Sequence, residues 1–232
     1  MTAPLEAILL DVDGTLVDSN DAHAHAWVEA LAEHGFECRF DEVRRLIGMG
    51  GDHVLPILTG LAEEEPRGEK IAERRSAIFR ERHLKALKPF RDVRPLVEAM
   101  RRRGFRIVVA TSARSDELDA LLFVTGVEDL VDEKTTSSDA EATKPAPDIV
   151  AAAVRKAGVS PRSAIMIGDT PYDVRAAQRA GVSTIALRSG GWGDADLGGA
   201  IAIYDDAHDL LKHFDQSPLG RASHATAHAR QG

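Results

Sequence analysis

Asp11 and Asp13, two carboxylates separated by one residue in Asp11-Val12-Asp13-Gly14-Thr15, directly follow the apolar run Ala7-Ile8-Leu9-Leu10. Farther on, Thr111-Ser112 follows Arg106-Ile107-Val108-Val109-Ala110, and Gly168-Asp169 follows Ala164-Ile165-Met166-Ile167. Lys144, in Thr143-Lys144-Pro145-Ala146-Pro147-Asp148, lies between the last two. Brought together, these acids would repel one another, and some would hold protons unless a cation neutralised them. Hard oxygen donors favour Mg²⁺, which takes few protein ligands and leaves room for phosphate oxygens. A carboxylate can attack phosphorus to give an aspartyl-phosphate, whose hydrolysis needs water and a general base. Two aspartates one residue apart on an extended segment cannot share a geometry, so Asp11 is expected to attack and Asp13 to handle protons.

Such a site needs elements that bring distant residues to one edge. The three runs are short, lack helical periodicity and stop at polar or glycine residues, which is the pattern of buried parallel strands. Ser183-Thr184-Ile185-Ala186-Leu187 is a fourth, and Ala200-Ile201-Ala202-Ile203-Tyr204 a fifth near an edge. Helical spacing fills the gaps: Val93 to Arg103 places Leu96, Val97 and Met100 on one face, and Pro147 to Ala157 is a similar helix ended by Gly158. Strands alternating with helices predict an α/β fold, a Rossmann-like three-layer parallel sheet with right-handed crossovers. Ligands bind such sheets outside the carboxyl ends of the strands, where the acids, the hydroxyls and Lys144 would meet.

The stretch from Asp18 to Lys88 breaks the alternation. It holds no convincing strand but has helical patterns over Ala22 to His34, Asp41 to Ile47, Asp52 to Leu61 and Glu69 to Leu87. An unstructured loop of that length does not fit a compact domain. Residues 18–88 are therefore expected to form an all-helical cap, with 1–17 and 89–214 as the catalytic core. Residues 215–232, rich in Ala, His, Ser and Gly, are expected to be a disordered tail.

The chain has 232 residues, 44% hydrophobic and 28% charged, with a formal net charge of -8. That balance argues against nucleic acid as a partner, because phosphate-backbone affinity needs clustered Lys and Arg. Cys38 is the only cysteine, which excludes an intrachain disulfide. No signal-peptide pattern or bilayer-spanning run is evident, so the expected setting is cytoplasmic, with no membrane partner. His23 and His25 lie on different helix faces and cannot chelate together. His53 and Asp52, beside Gly48-Met49-Gly50-Gly51, are candidates for a cap loop that faces the substrate, and His53 is a candidate contact.

Asp11-Val12-Asp13-Gly14-Thr15, Thr111, Lys144-Pro145 and Gly168-Asp169-Thr170-Pro171-Tyr172-Asp173, in that order, resemble the haloacid dehalogenase-like hydrolase superfamily. The resemblance spans about residues 7 to 190. It implies that Asp11 is nucleophile and metal ligand, and that Asp13 is acid/base with its backbone carbonyl on the metal. Thr111 and Lys144 would hold the phosphoryl group, with Ser112 as the neighbouring alternative hydroxyl. Asp169 would complete the Mg²⁺ site, and Asp173 is the second acid of that motif.

Within the superfamily, Asp13 argues against a dehalogenase, which lacks that second aspartate. The absence of lysine in Gly48 to His53 argues against a phosphonatase. Beta-phosphoglucomutase is similar too, including counterparts of Trp27 and of His23, a candidate substrate contact, but its cap loop carries an arginine for a second phosphate where Gly51 stands. The expected function is a phosphoglycolate phosphatase-like phosphatase acting on a small phosphorylated metabolite, as monomer or homodimer. A sugar-phosphate mutase is the alternative within the family. A receiver-type signalling module and a noncatalytic phosphate-binding protein are the alternatives outside it.

Overall fold

The computed structural model describes residues 4–222. Its strands are β1 (Ala7–Leu10), β2 (Arg106–Ala110), β3 (Glu133–Thr135), β4 (Ala164–Gly168), β5 (Ser183–Leu187) and β6 (Ala202–Tyr204). All pair in parallel, in the order β3-β2-β1-β4-β5-β6. β1 is buried along its whole length, as the continuous apolar run requires, whereas β3 and β6 are half-buried edges. Side chains alternate between the two faces. Ile8, Leu10, Ile107, Val109, Ile165 and Ile167 face one core. Ala7, Leu9, Val108, Ala110 and Met166 face the other.

The first face is covered by α5 (Val93–Arg102), α6 (Ser115–Thr125) and α9 (Ala207–Lys212), and the second by α7 (Asp148–Ala157) and α8 (Pro171–Arg179). This is the three-layer Rossmann-like architecture expected. β3 is not among the expected strands, because its three residues, with partly exposed Glu133 and Lys134, carry no apolar run.

Between β1 and α5 lie the cap helices α1 (Asn20–Glu33), α2 (Phe40–Arg44), α3 (Gly51–Thr59) and α4 (Pro66–Ile78). In α1 the buried residues Asn20, His23, Ala24, Trp27, Ala30 and Leu31 recur at three- and four-residue spacing, so one face is inward along its whole length. The helix expected from Glu69 to Leu87 is instead α4 followed by a π-helical turn over Phe79–His83 and a 3₁₀ turn over Leu84–Ala86. The chain enters and leaves the cap at one place. Val17 pairs with Pro89, Asp18 N–H donates to Lys88 O at 3.1 Å, and Phe90 N–H donates to Leu16 O at 3.1 Å.

The expected tail boundary needs correction. Residues 214–216 form a 3₁₀ turn and 218–222 a helical turn, and Phe214, Ser217 and Leu219 are buried. These few apolar side chains fold onto the core despite the polar composition around them. The rest of the expected tail, 223–232, lies outside the described residues.

Candidate active site

β1 lies between β2 and β4, with Leu10 level with Val109 and Ile167. That register alone sets Asp11, Thr111 and Asp169 side by side, each one residue past its strand end. Asp11, Asp169 and Thr111 are buried, and so is Lys144, with only 1% of its surface exposed. Lys144 comes from the loop before α7, where its bond to Pro145 is cis. Its Nζ lies 2.5 Å from Asp11 Oδ1 and 2.7 Å from Asp173 Oδ1.

Asp169 accepts from Thr15 Oγ1 at 2.8 Å and from Asn20 Nδ2 at 3.0 Å. Glycine makes this approach feasible. A Cβ on Gly14, where φ is +72°, would come within 2.1 Å of both Asn20 Nδ2 and Asp169 Oδ2, and one on Gly190 within 2.0 Å of Asp169 Oδ2. Asp173 sits at the third position of α8, where its carboxylate accepts from Thr170 N–H at 3.0 Å and from the Thr170 hydroxyl at 2.7 Å. It therefore caps its helix and pairs with Lys144 at once.

Three carboxylates face one lysine. Burial drives the Asp11 carboxyl well up, Lys144 opposes this, and Asp173 and Asp169 add to it. Asp169 is pushed up to about 7, first by burial and then by Asp173. Against its own burial, Lys144 is held above its ordinary value by Asp11 and Asp173. Asp11, Asp169 and Asp173 each offer an oxygen within 4.8 Å of the others'. Asn20 Oδ1 is buried without a hydrogen bond among the described residues. An all-oxygen, proton-retaining donor set of this kind fits a small hard divalent cation.

The Asp13 side chain turns the other way. Its Oδ1 accepts from Ser19 Oγ at 2.5 Å and lies 2.7 Å from His23 Nε2. Ser19 stands at the N-cap of α1 but makes no capping bond; its hydroxyl serves Asp13 instead. On the far side of the ring, Arg75 NH2 lies 2.7 Å from His23 Nδ1. A guanidinium only donates, so Nδ1 accepts and Nε2 carries the hydrogen given to Asp13. Arg75 reaches Glu117 of α6 at 2.7 and 2.8 Å, and Ser76 donates to the same buried carboxylate at 2.7 Å. Phe79, in the π-helical turn, stacks on His23 with ring centres 4.0 Å apart. Burial raises Asp13, but His23 and Ser19 outweigh it and hold the carboxyl below its usual range.

Thr111 Oγ1 accepts from Ala113 N–H at 3.1 Å, and Ser112 Oγ from Lys144 N–H at 3.3 Å, so both hydroxyls brace the loops that carry the site. Both also line a cavity of about 670 Å³ between core and cap, together with Asp11, Asp13 and His23. His53 takes a different place from the one expected. Its Nε2 lies 3.2 Å from Thr143 O, and Asp52 accepts from Thr143 N–H at 3.0 Å and from the Thr143 hydroxyl. These two residues tie the cap loop to the residue preceding Lys144. Sequence reasoning missed Ser19, Asn20, Arg75, Glu117 and Thr143. Serine and asparagine are also the residue types that cap helices, so nothing local sets Ser19 and Asn20 apart at the start of α1.

The fold and the strand-end cluster define a class, a Rossmann-like α/β core that carries a helical cap and gathers carboxylates at its strand ends. The model of the haloacid dehalogenase-like hydrolase family matches residues 8–187, and the chain belongs to that family. It is 30% identical over 223 residues to the phosphoglycolate phosphatase of Aquifex aeolicus, covering 91% of this chain and 97% of that one. Among solved structures, a hydrolase from Pseudomonas syringae superposes with a TM-score of 0.85 at 29% identity, covering 91% of this chain and 98% of that one. CbbY from Rhodobacter sphaeroides, solved in complex with phosphate, gives 0.74 at 25% identity over 89% and 96% of the two chains. Among the described residues no helix is long and apolar enough to cross a membrane.

Proposed function

We propose that this chain is a magnesium-dependent phosphatase that hydrolyses a small phosphomonoester through an aspartyl-phosphate on Asp11. The observation that carries the reading is the pairing of buried Asp11 with Lys144 beside Asp169 and Asp173, at the floor of a cavity that also admits Asp13. Asp11, Asp169 and Asp173 would hold the ion, with the backbone carbonyl of Asp13. Bound there, the ion would neutralise the acids and the phosphate oxygens as charge moves in the transition state.

Asp11 attacks phosphorus and the bond to the leaving oxygen breaks, while Asp13 delivers a proton to that oxygen. Asp13 then takes a proton from water as the water attacks phosphorus, and Asp11 is released as a carboxylate. The contacts from Ser19 and His23 favour the ionised Asp13 of the second half-reaction. The two halves thus run on opposite charge states of one carboxyl group. Thr111, Ser112 and Lys144 steady the transferring group, and the cap excludes water from it.

Asp11→Asn is expected to lower phosphate release from an aryl phosphate by about 10⁴-fold or more while the fold persists. Acid-quenched wild type is expected to carry phosphate on Asp11 by peptide mass. Magnesium-dependent turnover by the folded variant would sink the nucleophile assignment.

A further inference from the structure

Of the side chains that hydrogen-bond Asp11, Asp169 or Asp173 among the described residues, only that of Asn20 comes from the cap. Asn20 is the first residue of α1, and just 2% of its surface is exposed. Its Nδ2 donates to Asp169 Oδ2 at 3.0 Å, while the Thr15 hydroxyl donates to Asp169 Oδ1 at 2.8 Å. Each oxygen of this carboxylate is therefore fixed by one donor and keeps lone-pair capacity for a cation. Gly14 has no side chain to hold Asn20 and Asp169 apart, so the contact stays close.

The other end of the same amide has no such partner. Only the NH2 end of an amide can donate, so facing a carboxylate fixes which way the group is turned. That leaves Asn20 Oδ1 buried with no hydrogen bond among the described residues. A buried carbonyl oxygen without a donor carries its full desolvation cost, so its position calls for one. The acid that Asn20 holds belongs to the cluster that fits magnesium, an ion that keeps several of its waters. A water on the ion is a strong donor, with its hydrogens turned outward.

We infer that Asn20 is a further residue of the magnesium site: its nitrogen positions Asp169, and its oxygen accepts from a water on the ion. The inference rests on the phosphatase reading above and deepens it, because it brings the cap into the metal centre. Residues that hold metal ligands from outside are commonly worth about ten- to a hundredfold in metal affinity. One turn of α1 then serves both halves of the centre, with Asn20 at Asp169 and His23 at Asp13.

The test reads metal binding without substrate. Wild type and Asn20→Ala are stripped with a chelator and titrated with magnesium in a calorimeter. The Kd of the variant is expected to rise about tenfold or more. Urea unfolding supplies the second readout: the rise in midpoint that magnesium gives the wild type should shrink in the variant. In chelator the two midpoints should lie close together, since the alanine also removes a buried acceptor that had no donor. A merely structural asparagine would do the reverse, lowering the metal-free midpoint and leaving the Kd where it was. A smaller rise in Kd than tenfold, or no magnesium binding by the wild type, overturns the inference. Should Asn20→Ala fail to fold, Asn20→Ser is measured in its place with the same expectation. Weakened magnesium binding in the variant, with no phosphate release from an aryl phosphate by the wild type, would break the phosphatase reading and leave Asn20 in the metal site. Magnesium-dependent release by the wild type with an unchanged Kd in the variant would remove Asn20 alone.

Discussion

The floor and the roof of the cavity are both rich in acids, and they manage them in opposite ways. On the floor, Asp11, Asp169 and Asp173 are buried, fixed by strand ends and a helix cap, and set around one lysine. On the roof, Asp52 and Glu63 are only half-buried, and Glu63 feels Arg114 and Arg75 without a hydrogen bond to either. The floor balances its acids by direct contact with Lys144, whereas Glu63 on the roof is balanced only through space.

The largest effect should come from removing the floor's own cation. Lys144→Ala would leave Asp11 and Asp173 buried without it, and stability should drop by about 3–5 kcal/mol in urea unfolding. Magnesium should restore more stability to this variant than to the wild type. A loss under about 1 kcal/mol would mean the floor does not depend on Lys144.

The pH dependence of stability comes next. Asp169 moves from 3.8 up to about 7 on folding, so across that window the folded state holds more protons than the unfolded chain. Without magnesium, stability should therefore fall as pH rises from 3.8 to about 7. With magnesium the slope should flatten, because the ion favours the ionised carboxylates. Urea midpoints at several pH values, with and without the ion, give the comparison, and a metal-free stability that climbs through the window would contradict it.

Arg75 joins floor to roof, running from the cap helix α4 to Glu117 of α6 while holding His23. Arg75→Ala should reduce kcat by about ten- to a hundredfold, with a changed pH profile because the His23 contact to Asp13 is no longer braced. Glu117→Gln keeps the size of the partner and should lose less. Identical losses and unshifted pH profiles in both variants would reduce the bridge to simple packing. The smallest effect is expected at the roof's edge. Asp52→Asn weakens the tie to Thr143, should cost about 1 kcal/mol, and should appear in KM rather than kcat.

The same division explains what could be read in advance. Asp11, Thr111 and Asp169 were legible because each ends a buried apolar run, and a parallel sheet brings such ends to one edge. Asn20 was not, since its partner Asp169 is 149 positions away and nothing local announces the meeting. Arg75 lies on a helix crowded with charges, where a buried guanidinium looks like any solvated one. Glu117 reads as an ordinary acid in the first turn of a helix, and only the structure shows it buried. The π-helical turn left no mark in the periodicity, yet it sets Phe79 against His23. His53, expected on a cap loop, stands in the first turn of α3 and its side chain follows the Thr143 carbonyl, a direction that is not written in spacing.

The position of the cap in the chain has a consequence for synthesis. β1 is made before the two strands that flank it in the sheet, since β2 and β4 begin only at Arg106 and Ala164. The four helices that follow it pack largely on one another, α1 against α2 and α4. A nascent chain therefore completes its cap from local contacts while the strand that leads to Asp11 still lacks a neighbour.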